Sequence, residues 1–66
     1  MLSARNQLKG KIVSIKLGEV MAEVVVKAGE FEIVSVITRG SVEAMQLKVG
    51  DVVSAVIKST EVMIAK

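Results

Sequence analysis

Valine and isoleucine recur through this chain in short runs that are apolar on both faces, and that pattern leaves few folds open. Over 20–27, Val20, Ala22, Val24 and Val26 share one face while Met21 and Val25 interrupt the other; over 31–38, Ile33 and Ile37 oppose Val34 and Val36. β-Branched residues at a period of two belong on pleated strands, where a stiff χ1 packs well against neighbours. A strand apolar on both sides must be covered on both sides. A chain of 66 residues, 52% of them apolar, has too little interior for that, because a domain this small buries only about 60% of its unfolded surface. The surplus predicts a subunit interface, the alternative being two-sided burial within one chain. Other supports for a small domain are missing from the composition: there is no Cys for a disulfide and no His for a metal site.

Read in order, 8–17 is a first strand whose apolar phase changes partway. Leu8, Gly10 and Ile12 share one face, then Val13, Ile15 and Leu17 the other, which suggests a bulge or a barrel corner. Gly18-Glu19 turns the chain into a second strand over 20–27, and Ala28-Gly29-Glu30 into a third over 31–38. Thr38 is a good N-cap, and Val42, Met45 and Leu47 give helical spacing for one or two turns. After a turn at Lys48-Val49-Gly50-Asp51, a fourth strand is expected over 52–58 and a fifth over 61–65, joined by Ser59-Thr60. The expected fold is therefore all-β, a five-stranded OB-like Greek-key barrel with one short helix between strands three and four, forming a single domain over 1–66.

No catalytic constellation is visible, since the seven carboxylates are scattered singly along the chain, and the chain does not read as an enzyme. Single-stranded nucleic acid needs aromatic platforms for its bases, and Phe31 is alone. No apolar run approaches the length of a membrane span, and with no leader before Ser3 a cytoplasmic location is expected. What the chain does hold is donors. Ser3, Arg5, Asn6, Lys9 and Lys11 crowd the first residues, Thr38 and Ser41 stand at the helix start, and Lys58 lies near the end. A tetrahedral oxyanion, an acceptor at every oxygen, suits that set. A solvated basic leading segment and an ordinary capped turn account for the same residues.

Three runs carry a family resemblance: Ser3-Ala4-Arg5-Asn6-Gln7-Leu8-Lys9-Gly10-Lys11-Ile12; Thr38-Arg39-Gly40-Ser41-Val42 with Leu47-Lys48-Val49-Gly50; and Val56-Ile57-Lys58-Ser59-Thr60-Glu61-Val62-Met63. Together they resemble the molbindins, single-domain molybdate-binding proteins of the Mop family, whose domain is the TOBE domain. The resemblance implies molybdate or tungstate held between subunits of a hexamer, a trimer of dimers, for intracellular molybdenum storage or homeostasis. It implies no organic cofactor, no nucleic acid and no membrane. Carried over, the oxyanion contacts fall on Ser3, Arg5, Thr38, Ser41, Lys58 and Ser59. Two departures stand out: only Met1 and Leu2 precede Ser3, and Gly40 sits inside the helix start, where it should loosen the turn. An OB-type nucleic-acid module and a ligand-free assembly domain are the rival readings.

Overall fold

The computed structural model describes residues 3–66. Its strands are β1 (Asn6–Leu17), β2 (Met21–Ala28), β3 (Phe31–Thr38) and β4 (Val52–Ile57), with one helix, α1 (Arg39–Ala44), between β3 and β4. They form a single antiparallel sheet in the order β3-β2-β1-β4.

The long strand β1 serves two partners. Its first half pairs with β4, from Asn6 opposite Ile57 to Lys11 opposite Val52, and its second half with β2, from Lys11 opposite Lys27 to Leu17 opposite Ala22. The handover needs a sharply coiled strand, and two local features provide it. Gly10 lies so close to β2 that a Cβ there would stand 2.2 Å from the Lys27 carbonyl oxygen. The register then slips between Ile12 and Ser14, a bulge at the place where the apolar phase changes in the sequence. The loop before β4 satisfies the backbone at the bulge: Ile12 N–H donates to the Asp51 carbonyl at 2.9 Å, and Gly50 N–H to the Ile12 carbonyl at 2.8 Å.

Ile12, Ala22, Val24, Val26 and Val42 form the buried core, with Ile15, Ile37, Leu47 and Val53 packed on it. Helix α1 covers this core through Val42 and is closed at both ends. The Thr38 side chain accepts from Ser41 N–H at 3.1 Å. At the other end Leu47 N–H donates to Val42 C=O and Gln46 N–H to Glu43 C=O. That is a Schellman motif, with Gln46 at φ 52° in the position glycine usually fills.

The fifth strand expected over 61–65 does not form. Ser59–Glu61 is a 3-10 turn, and beyond it Val62 keeps extended backbone (φ −92°, ψ 119°) without entering the sheet. Met63 and Ile64 are 92% and 90% exposed. A strand is defined by its ladder as much as by its residues, and neither edge of this sheet takes the segment up. The sheet is accordingly four-stranded and open, with β3 and β4 as its free edges.

Candidate functional site

The residues that could hold an anion sort by where β1 begins and where it ends. At the beginning, the last rung of the β1–β4 ladder joins Asn6 to Ile57. Arg5 and Lys58 therefore stand one position beyond the same rung, on adjacent chain segments, and both are exposed. Ala4 is buried, while Ser3 and Arg5 on either side of it are exposed. Ser3 meets the start of the 3-10 turn: with Lys58, Ser59 and Thr60 it lines a shallow pocket of about 230 Å³. Four of the six expected residues, Ser3, Arg5, Lys58 and Ser59, thus gather at one corner of the molecule.

The other two lie elsewhere. Thr38 pairs with Met21 at the last rung of β2–β3, and Arg39 N–H donates to the Val20 carbonyl at 2.8 Å. This places Thr38 and Ser41 beside the 18–20 turn that follows Leu17, at the far end of β1. Twelve strand residues would span roughly 40 Å if straight. The bulge and the coil shorten that span, in a molecule whose longest dimension is 34 Å. Thr38 donates its hydroxyl proton to Ser41 Oγ at 2.8 Å, so the proton left to offer a ligand from this pair is that of Ser41. Arg39 fastens the group, with Nη1 donating to the Gly18 carbonyl at 3.3 Å and Nε 3.6 Å from Glu43. That is the only ion pair among the described residues, so neither Arg5 nor Lys58 is paired with a carboxylate there.

Two nearby residues escaped the sequence reading. Thr60 adds a third hydroxyl to the pocket, and its signal was the unbroken donor run Lys58-Ser59-Thr60. Gln7 donates from Nε2 to the Ala4 carbonyl at 3.1 Å, a contact that depends on a bend no periodicity reports.

Between the free edges of β3 and β4 lies a larger apolar groove of about 770 Å³, floored by Ile12, Val24 and Val26 and rimmed by Lys58 and Glu61. It carries no convergent set of titratable groups. Among the described residues no cluster of Asp or Glu is placed to hold a metal ion, and no helix is long and apolar enough to cross a membrane.

Comparison with known proteins gives this geometry its context. The TOBE domain profile matches residues 2–64. Molybdenum-pterin-binding protein 1 of Clostridium pasteurianum is 55% identical over 64 residues, covering 96% of this chain and 94% of that protein. The solved structure of a molybdate-binding protein from Sporomusa ovata superposes with a TM-score of 0.96 at 38% identity, covering 100% of this chain and 98% of the other. The cytoplasmic molybdate-binding protein ModG, solved with molybdate bound, gives 0.90 at 42% identity, over 96% of this chain and 45% of its own.

Proposed function

The chain belongs to the TOBE-domain family, and from that membership we propose that it binds molybdate or tungstate, as the intact oxyanion, between subunits of a homo-oligomer. The family is one of binding proteins, and the chain is a binding protein rather than an enzyme. The role that fits is cytoplasmic storage or homeostasis of molybdenum; among the relatives, ModG is a cytoplasmic molybdate-binding protein.

One observation carries the reading: the two donor groups stand at opposite ends of β1, so a single chain offers only part of a shell. Ser3, Arg5, Lys58 and Ser59 of one subunit, completed by the Thr38–Ser41 pair of another through the Ser41 hydroxyl, would surround all four oxygens. The open groove and the exposed apolar residues Val62, Met63 and Ile64 supply surface for such an assembly. We assign it as a hexamer, a trimer of dimers.

The chemistry follows from the donors. A unit charge about 4 Å from another is worth about 4 kcal/mol at an effective dielectric near 20, before desolvation is subtracted. Arg5 and Lys58 therefore supply attraction, and the hydroxyls supply geometry. Every oxygen of molybdate or tungstate can meet a donor in a pocket of the right size. The smaller sulfate leaves some donors unpaired, at about 1–3 kcal/mol each. Inorganic phosphate still carries one or two protons at neutral pH and presents an O–H donor to a shell made of donors. No organic cofactor is assigned, because a pterin ring calls for stacking partners and Phe31 stands alone at the β2–β3 hairpin. The same shortage speaks against nucleic acid.

Calorimetry with molybdate, tungstate and sulfate tests this account. The two larger oxyanions should bind alike, and sulfate at least about tenfold more weakly. Equal affinity for sulfate would overturn the size argument, and no binding of any of the three would overturn the function.

A further inference from the structure

Residues 3–5 precede β1, so no sheet ladder holds the segment that carries Ser3 and Arg5. What holds it is local. Ala4 is 8% exposed and seats the segment against the protein. Its carbonyl accepts a hydrogen bond from Gln7 Nε2 at 3.1 Å, in a partly buried position. Gln7 lies inside the ladder, opposite Val56 of β4. Its amide is therefore a strut running from a rigid strand back to a loop.

We infer that Gln7 is a positioning residue for oxyanion binding: its side-chain amide fixes the Ser3-Ala4-Arg5 bend so that Ser3 stays at the pocket with Lys58, Ser59 and Thr60. The inference rests on the binding function proposed above and adds to it a residue that touches no ligand. Without the strut the segment keeps its donors but samples more conformations, and binding must then order it at an entropic cost. The donor matters and the bulk does not. Methionine matches glutamine in length and lacks the N–H; glutamate sets a carboxylate against the Ala4 carbonyl and adds a negative charge near the anion.

Gln7→Met is the decisive variant, since it removes one hydrogen bond and no charge. Titration calorimetry should show molybdate and tungstate binding about fivefold weaker, the value of one net hydrogen bond, with the loss in the entropy of binding. Melting temperature without ligand should fall by no more than a few degrees, since the same bond also steadies the free protein, and oligomer size should match the parent, while the backbone amides of residues 4–6 should exchange with solvent faster. Gln7→Glu should bind more weakly still. Parental affinity in Gln7→Met would overturn the role, as would an affinity loss that only follows a loss of melting temperature or of assembly. A parent protein that binds no molybdate would overturn the functional reading and this role together; a binding parent with an unaffected variant would overturn the role alone.

Discussion

Arg5 and Lys58 are exposed, each one position past the Asn6–Ile57 rung, with no carboxylate in an ion pair with either among the described residues. Two free cations on adjacent chain segments are useful in a protein that binds a dianion, because the anion can pair with both. Arg5→Ala and Lys58→Ala should each weaken molybdate binding at least about tenfold at low ionic strength. Neither should change oligomer size; unchanged affinity in both, measured by calorimetry, would remove these residues from the site. At this scale the sequence was legible wherever a donor side chain speaks for itself. Ser3, Arg5 and Lys58 stand out in an apolar chain, and the structure gathers them at one corner with Ser59. It was illegible where a role depends on a neighbour: Thr38 is occupied with Ser41, and Gln7 matters only through the Ala4 carbonyl.

Among the elements, β1 and α1 owe their form to single residues, and two substitutions separate those effects. Gly10→Ala would press a methyl group into the Lys27 carbonyl, an overpacked contact costing about 1–3 kcal/mol or more, read as a lower denaturant midpoint. Gln46→Gly should do the reverse. It relieves a left-handed residue in the Schellman turn and should stabilise by about 0.5–1 kcal/mol, less what glycine adds to the freedom of the unfolded chain. A midpoint unchanged by either would mean that the strand crossing or the helix end relaxes more easily than its geometry implies. The sequence carried these features because they are local. The phase slip at Ile12 and Val13 marked the bulge, and Thr38 marked the start of α1. Gly40, expected to loosen that start, lies within the helix with nothing near a Cβ, and no left-handed backbone requires it. The fifth strand failed because pairing is non-local: 61–65 has a strand's residues but no edge within its own chain takes it.

For the whole molecule, the apolar surplus read from composition reappears as exposed surface. Val34 and Val36 on the outer face of β3, Val52 and Val56 on β4, and Met63 with Ile64 beyond the 3-10 turn are all more than two-fifths exposed. That much apolar surface, with an open groove between the sheet's edges, fits a subunit of an assembly better than a protein at home as a monomer. The placement of the donors at the two ends of β1 suits the same proposal, in which the shell around one ion is drawn from different chains. Assembly and binding should therefore be one event seen twice, and molybdate should stabilise the oligomer by mass action. Native mass spectrometry across a dilution series, with and without molybdate, tests this most directly. The account predicts hexamers that carry molybdate, monomers that carry none, and assembly persisting to lower protein concentration when molybdate is present. Monomers that bind molybdate as tightly as the assembled protein, or hexamers that take up none, would contradict it.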